Sequence, residues 1–268
     1  MFIDSHAHLD MKAFDPDRQE VVRRALAAGL RAIVTIGVAD SLPGIERVLD
    51  LAARHERVFA TVGVHPHDAK EVRPDWLARI ATFVSNPKVV GVGETGLDYH
   101  YLHSPREAQL DCFRGFVRLA RGLGLPVVIH SRSADGDTLA VLEEAVRECG
   151  EPLRGVVHCF SGDYPLARSF LDLGLDLSFT GVITFARAAG LREVVRRIPL
   201  ERVHLETDCP YLAPEPFRGL RNEPAFVVKV AEVVADLLGK SLAEVGRVTS
   251  GNTVRLFRLP GLDEPGRI

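Results

Sequence analysis

Two histidines near the start of the chain have the spacing of a metal-binding pair. Residues 4–8 read DSHAH, and on a β-strand the side chains of His6 and His8 point to the same face. Imidazole is a common ligand of divalent transition metals, so the pair indicates metal chemistry. The plainer interpretation is a solvated strand whose histidines bind nothing, and the rest of the sequence has to decide between the two.

More histidines and carboxylates stand at the ends of short apolar runs further along the chain. They are His65, His67, Glu94, His130, His158 and Asp208. A single histidine in such a run is more often a hydrogen-bonded core residue than a ligand. An isolated buried carboxylate, however, is costly unless a cation or strong donors lie nearby. The set as a whole therefore predicts a metal centre.

The number of candidate ligands indicates two ions rather than one. A catalytic zinc takes about three protein ligands and keeps one position open. The candidate set is larger, and two-metal sites can clamp both the attacking and the leaving oxygen of a displacement. Glu94, which is central in the chain order, is the expected bridging carboxylate. We predict two divalent ions, zinc, manganese or magnesium, held by His6, His8, Glu94, His130, His158 and Asp208.

The elements that carry these residues can be predicted from the apolar runs. Eight runs rich in Val, Ile and Phe occur at residues 2–4, 32–38, 58–64, 89–93, 126–130, 155–160, 176–182 and 202–207. Most are continuously apolar, which predicts parallel strands that are covered on both faces. Helical periodicity is found at 18–29, 41–55, 74–84, 105–124, 135–149, 164–173, 188–197, 223–238 and 241–257.

The alternation of eight strands with helices predicts an α/β fold of the (β/α)8 TIM-barrel type in a single domain. In that fold the active site lies at the carboxyl ends of the strands, where the candidate ligands also fall. A doubly wound open sheet is the alternative, but no strand is followed by the G-x-G-x-x-G of a dinucleotide site. We expect the barrel domain to span residues 1–258 and residues 259–268 to form a C-terminal tail.

The composition is that of an ordinary soluble globular protein. With 46% hydrophobic and 26% charged residues and a formal net charge of -3, the chain has no global basic field for a polyanion. Its four cysteines form no C-x-x-C pair, which favours reduced thiols in a cytoplasmic protein. Neither a secretory signal nor an apolar run of membrane-spanning length is found. We therefore expect a cytoplasmic protein without a membrane partner, and no protein partner is implied.

Seven motifs together resemble the TatD family of metal-dependent deoxyribonucleases. They are D-x-H-x-H at 4–8, GVHPH at 63–67, GETGLD at 93–98, PVVIHSR at 126–132, VHCFSG at 157–162, ETDCPYL at 206–212 and RNEP at 221–224. The resemblance runs in order from residue 2 to about residue 257. It implies a TIM barrel of the amidohydrolase-like superfamily with the same six ligands. It further implies hydrolysis of phosphodiester bonds in DNA, often by a 3′–5′ exonuclease that prefers single strands.

The expected mechanism uses a metal-activated water and no side-chain nucleophile. Asp208 could hold a metal and also accept the proton of the water. Glu206 stands two residues earlier, so it could be an alternate base or a partner that orients a ligand. The predicted catalytic residues are thus Glu94, Asp208 and Glu206. Substrate phosphates are expected to meet donors that follow strand ends, namely His65, His67, Arg132 and Arg221.

Two other classes of function stay open at this point. Related barrels attack carbonyl carbons, so the chain could be a metal-dependent ester or amide hydrolase such as a D-aminoacyl-tRNA deacylase. The fourth run is followed by Glu94 and not by the lysine of a carbamylated bridge, which leans away from enzymes of the urease and dihydroorotase type. A binding protein without catalysis is the last alternative, and the complete ligand set disfavours it.

Overall fold

Eight parallel strands form the centre of the molecule in a computed structural model that describes residues 1–38 and 42–262. They pair in sequence order, so each strand lies beside the next. This order follows from the continuously apolar runs, because helices cover the strands from outside while the opposite face fills the interior. The strands are β1 (Phe2–Ala7), β2 (Leu30–Val38), β3 (Val58–Gly63), β4 (Val89–Asp98), β5 (Val127–Arg132), β6 (Gly155–Val157), β7 (Asp176–Phe179) and β8 (Val203–Leu205).

Helices follow the strands along the chain and pack on the outer face of the sheet. Side chains cap some of them: Asp163 accepts a hydrogen bond from the backbone N–H of Leu166, and Ser241 from that of Glu244. The helices are α1 (Arg18–Ala27), α2 (Leu42–Ala53), α3 (Trp76–Phe83), α4 (Arg106–Leu123), α5 (Asp135–Cys149), α6 (Tyr164–Asp172), α7 (Ala189–Arg197), α8 (Val227–Leu238) and α9 (Leu242–Phe257). None of those within the described ranges has the length and apolar character needed to cross a membrane.

The fold is a (β/α)8 TIM barrel, which confirms the predicted fold class. Every predicted strand and helix is present, and Ser41, the predicted first residue of α2, lies outside the described residues. The largest difference is in β4, which was expected to end at residue 93 and continues to Asp98. The polar residues 94–98 therefore belong to a strand and not to a loop.

Two glycines let β4 continue past its apolar part. Gly93 and Gly96 have φ angles of 136° and 144°, which side-chain-bearing residues rarely adopt. A Cβ atom at either position would also collide with a carbonyl oxygen of β5, that of Val128 or of His130 respectively. The pairing with β5 shifts register between Val92 and Thr95. The glycines of the GETG motif thus allow the backbone to carry Glu94 into the interior while it stays paired with β5.

The barrel closes where the segment after β8 meets β1. The backbone N–H of Asp208 donates to the carbonyl oxygen of His6, and that of His8 donates to Cys209, both at 2.9 Å. The buried carboxylate of Asp4 accepts hydrogen bonds from the backbone and the hydroxyl of the residue before Asp208, at 2.9 and 2.6 Å. These hydrogen bonds form the seam between β1 and the segment after β8. They therefore close the barrel beside residues that were predicted to bind metal.

A second apolar layer fills the opposite, amino-terminal end of the barrel. Side chains of the strands, including Ile3, Phe59 and Val128, pack there against Phe257 of α9 and the residues after it. Leu259 and Leu262, which follow the predicted domain boundary at residue 258, are buried in this layer. Residues 263–268 of the predicted tail lie outside the described residues.

Candidate metal centre

The six predicted metal ligands converge at the carboxyl end of the barrel. Four of them belong to or directly follow β1, β4, β5 and β6, and the other two stand one residue after β1 and three residues after β8. The structure thus brings together side chains that are up to 202 residues apart in the chain, those of His6 and Asp208. The members of this cluster are His6, His8, Glu94, His130, His158 and Asp208.

One carboxylate oxygen of Glu94 faces a first group of donors. Oε2 lies 3.4 Å from Nε2 of His6 and 3.9 Å from Nε2 of His8. Oδ1 of Asp208 completes the group, at 3.1 Å from Nε2 of His8 and 3.7 Å from Nε2 of His6. The two imidazole nitrogens themselves are 3.3 Å apart.

The other oxygen of Glu94 faces a second group of donors. Oε1 lies 2.7 Å from Nε2 of His158 and 2.8 Å from Nδ1 of His130. These two nitrogens are 3.1 Å apart. His65, which was predicted to contact substrate, belongs to the same group, since its Nε2 is 3.6 Å from Oε1. Glu94 therefore stands between two groups of nitrogen and oxygen donors, as a bridging carboxylate would.

The donor set fits divalent metal ions. Atoms that share a tetrahedral ion at about 2.0–2.1 Å lie roughly 3.4 Å from one another, and the nitrogen pairs in the two groups are 3.3 and 3.1 Å apart. Among the described residues, no lysine or arginine forms an ion pair with Glu94, Asp208 or Glu206. The charge that these buried carboxylates require must come from protons on the imidazoles or from bound cations.

The protonation of the cluster follows from burial and mutual charge. Burial by itself would raise the pKa of Glu94, but the charge of His158 and the hydrogen bond with His130 hold it well below its usual value. Burial would likewise lower the pKa of His158, and the neighbouring Glu94 and Glu206 outweigh it and raise that pKa well above the usual value. The negative charge of Glu94 is thus matched by imidazole protons, and a cation that enters the site has to displace them.

Asp98, a residue that the sequence analysis did not assign, supports the second group. Its buried carboxylate lies at the end of β4, where Oδ2 is 3.3 Å from Nε2 of His130 and 3.0 Å from Nε2 of His67. Oδ1 accepts hydrogen bonds from the backbone N–H groups of His100 and Tyr101. Asp98 therefore orients His130 and anchors the loop after β4. Its place as the last residue of the GETGLD motif was the signal that could have identified it.

Glu206, which was predicted to be catalytic, lies behind His158. Its Oε2 accepts a hydrogen bond from the hydroxyl of Ser178, and its Oε1 accepts one from the backbone N–H of Cys159, both at 2.6 Å. Oε1 is also 3.6 Å from Nδ1 of His158. Because both oxygens are engaged within the protein, this position fits the orienting partner better than the alternate base.

The predicted substrate contacts divide into two kinds. His65 was described above with the second donor group. The next predicted contact, His67, is already bound within the protein, because its Nε2 lies 3.0 Å from Oδ2 of Asp98. The exposed Arg132 lies at the end of β5, where its guanidinium is 4.8 Å from the centre of the Tyr101 ring. No ion pair of Arg132 is found in the described part of the chain, so its charge is available at the mouth of the site.

Arg221, which was also predicted to contact substrate, is bound to other residues of the protein. Its guanidinium donates to both carboxylate oxygens of Asp17, at 2.7 and 2.8 Å, and to the carbonyl oxygen of Ala13. These bonds hold Arg221 against the loop before α1 and use most of its donors. A strand-end position in the sequence suggested a phosphate contact, and the nearby Asp17 could not be foreseen from it.

The rest of the RNEP motif holds the segment that carries Asp208. The buried amide of Asn222 donates to the carbonyl oxygen of Thr207 at 2.9 Å and to that of Tyr211 at 2.6 Å. Glu223 forms an ion pair with Arg24 of α1 at 2.6 Å. The motif therefore stabilises the loop after β8.

Comparison with known proteins agrees with this geometry. Residues 3–258 match the family model described as TatD related DNase. The chain is 40% identical to the "uncharacterized metal-dependent hydrolase YabD" of Bacillus subtilis (strain 168), over 97% of this chain and 100% of the relative. It is 37% identical to the "3'-5' ssDNA/RNA exonuclease TatD" of Erwinia billingiae (strain Eb661), over 96% and 99%. The solved structure of the TatD homolog YjjV from Escherichia coli k12 superposes with a TM-score of 0.88 at 31% identity, covering 97% of this chain and 98% of that one. The chain therefore belongs to the TatD family, whose curated relatives are metal-dependent hydrolases.

Proposed function

We propose that the protein hydrolyses phosphodiester bonds in DNA, as a 3′–5′ exonuclease that prefers single strands and uses two divalent ions. The single observation that carries the proposal is the position of Glu94, whose two oxygens face separate groups of donors. Two-metal sites of this kind suit in-line displacement at phosphorus. The family model and the name of the Erwinia billingiae relative support a nucleic-acid substrate.

The residues divide between the two ions as the two groups do. His6, His8 and Asp208 would hold one ion with Oε2 of Glu94, and His130 and His158 would hold the other with Oε1. When bound, zinc, manganese or magnesium supplies Lewis acidity toward a phosphoryl oxygen and lowers the pKa of water.

The chain's own residues supply positioning and proton transfer. The contacts of Asp208 with His8 and His6 use Oδ1, so we assign Oδ2 to accept the proton of the attacking water. Asp98 holds the imidazole of His130 from outside the cluster, and Glu206 places a negative charge 3.6 Å from Nδ1 of His158. These contacts fix the ring planes before substrate arrives, so little reorganisation is required during the reaction.

Substrate is held by local charge, because the net charge of the chain is -3. Arg132 lies beside the site and forms no ion pair with any described residue, and guanidinium groups bind phosphate oxygens well. Tyr101 is exposed beside it, with the guanidinium of Arg132 over its ring and the ring of His103 stacked on it at 5.6 Å. The four cysteines are free thiols, as a cytoplasmic location requires, and we include that location in the proposal.

A parallel substrate assay tests the proposal. Metal-reconstituted protein is incubated with single-stranded DNA labelled at the 5′ or the 3′ end, with RNA and with D-aminoacyl-tRNA. We expect stepwise shortening of 5′-labelled DNA from its 3′ end, which chelation by EDTA stops. Release of amino acid from tRNA without cleavage of DNA would overturn the proposal in favour of an ester hydrolase.

A further inference from the structure

The imidazole of His65 is held by a backbone hydrogen bond that determines its tautomer. His65 precedes the short 3-10 helix Pro66–Glu71, and its Nδ1 accepts a hydrogen bond from the backbone N–H of His67 at 3.2 Å. A backbone N–H can only donate, so Nδ1 must carry the lone pair. In a neutral imidazole the single ring proton is then on Nε2.

The protonated nitrogen of His65 points into the cluster. Nε2 lies 3.6 Å from Oε1 of Glu94, and the ring centre is 4.8 Å from that of His130. The side chains of His65 and His130 are 17% and 15% exposed, whereas those of His158 and Glu94 are 4% and 2% exposed. His65 therefore lies at the open side of the second donor group, where a substrate can reach it.

The neighbouring His130 presents the opposite kind of atom. Its Nε2 is 3.3 Å from the carboxylate of Asp98, which can only accept, so the lone pair falls on Nδ1 when the ring is neutral. Nδ1 is the atom that faces Glu94 and His158. Side by side, His130 thus offers a lone pair suited to a metal ion, and His65 offers an N–H group that cannot bind one.

We propose that His65 is a catalytic residue that donates a hydrogen bond from Nε2 to a non-bridging oxygen of the scissile phosphate, and that it is not a metal ligand. The inference rests on the proposed function, because it names the group of a phosphodiester that His65 contacts. No proton is transferred: the N–H stays on His65, and the hydrogen bond strengthens as negative charge builds on the phosphoryl oxygens. The hydrogen bond from the backbone N–H of His67 to Nδ1, here called the His65 cap, keeps the donor fixed before substrate binds.

Two isosteric variants separate the two nitrogens of the ring. The amide oxygen of His65→Asn replaces the acceptor Nδ1 and preserves the cap, while the donor at Nε2 is lost. The amide nitrogen of His65→Gln reaches the position of Nε2 and preserves the donor. His55→Asn is the matched control, because His55 lies before β3 at the other end of the same strand.

The measurements are metal affinity by chelator competition, kcat and KM on single-stranded DNA, and the Kd of inorganic phosphate for the metal-loaded protein. We expect His65→Asn to keep its metal affinity and to lose about 10²-fold in kcat. Its Kd for phosphate should rise roughly tenfold, since a hydrogen bond to a charged group is lost. His65→Gln should regain most of both losses, and His55→Asn should match the wild type.

Three results would overturn the inference. Loss of metal affinity in both variants would make His65 a ligand. Full activity and phosphate binding in His65→Asn, with lower stability in His65→Gln, would make it a helix cap only. Equal kcat losses in both variants would exclude the donor role. Should the wild type cleave no nucleic acid, the proposed function fails, and the phosphate titration still decides for or against His65 as the donor.

Discussion

Oδ2 of Asp98 lies 3.3 Å from Nε2 of His130, so this carboxylate fixes which nitrogen of the ring faces Glu94. The same oxygen is 3.0 Å from Nε2 of His67, and the other oxygen accepts two backbone hydrogen bonds from the loop after β4. One buried side chain therefore couples a candidate metal ligand to the loop that carries Tyr101. Such partners of ligating histidines tune metal affinity as strongly as some ligands do.

We expect Asp98→Asn to weaken metal binding about 10–100-fold while the secondary structure is retained. The amide has the shape of the carboxylate, but its NH2 group cannot accept, so either the two rings or the two backbone N–H groups lose their acceptor. Chelator competition measures the metal affinity, and circular dichroism measures the fold. Asp176→Asn is the matched control: Asp176 makes an equivalent contact with His204, at 3.0 Å, at the amino-terminal end of β7. The control should lose stability and keep its metal affinity; equal metal affinity in Asp98→Asn and the wild type would contradict the orienting role.

Alanine at Glu94 or Asp208 should abolish metal-dependent turnover without unfolding the protein. Either change removes a carboxylate from a donor group and leaves its imidazole neighbours without a shared anion. Metal content after dialysis should fall, and kcat should fall by at least about 10²-fold, the usual cost of losing one preorganised charge-stabilising group. Glu144→Ala, which removes a partly exposed partner of Arg114 on the outer helices, serves as the control. Full activity in either site variant would refute its assigned role.

Arg132→Ala should weaken the binding of DNA, whereas Arg221→Ala should lower the stability of the protein. Arg132 has no ion-pair partner within residues 1–38 and 42–262, so its loss should raise KM for single-stranded DNA and reduce the slope of log affinity against log salt by about one. Arg221 is bound to Asp17, so its loss should lower the free energy of unfolding by about 1 kcal/mol or less, given the partial exposure of the pair, and leave the salt slope unchanged. DNA binding at several salt concentrations and thermal unfolding distinguish the two. A reduced salt slope in Arg221→Ala would restore it as a phosphate contact.

Stabilisation by metal should grow as pH rises from about 6 to about 8. The pKa of His158 is raised well above the ordinary histidine value of 6.5, despite burial, by Glu94 and Glu206. Its protonation therefore stabilises the protein without metal below pH 6.5, and this contribution is lost as pH rises through the raised pKa. The lowered pKa of Glu94 leaves that group ionised throughout this range. Since metal binding requires the neutral imidazole, the difference in Tm between metal-saturated and EDTA-treated protein should widen with pH. A constant difference across the range would contradict this protonation scheme.

The sequence carried enough information to predict the barrel and the position of the cluster. Continuous apolar runs indicated strands buried on both faces, and polar residues at their ends indicated the mouth of the barrel. The end of β4 was missed because its signal was apolar continuity, and the strand extends past it on the special backbone of Gly93 and Gly96. Asp98 was missed for the same reason, since a residue placed in a loop was not expected to face the cluster.

The contacts between segments that are distant in the chain could not be predicted from the sequence. Arg221 and His67 have the residue type and position of phosphate ligands, and only the folded chain shows Asp17 and Asp98 beside them. His65 was expected near substrate from its position alone. The hydrogen bond from the backbone of His67, which distinguishes its two nitrogens, depends on the local fold after β3. The sequence pattern thus identifies candidate site residues. The contact partners that determine the role of each residue are visible only in the folded structure.

The seam between β1 and the segment after β8 has a consequence for biosynthesis. The donors of the first group come from residues 200 positions apart, while Glu94, His130 and His158 come from three neighbouring strands in the middle of the chain. The residues of the second group are therefore all synthesised well before the first group is complete, because the first group also requires Asp208 from the segment after the eighth strand. If the proposed function holds, the complete site forms only after the whole barrel has been synthesised.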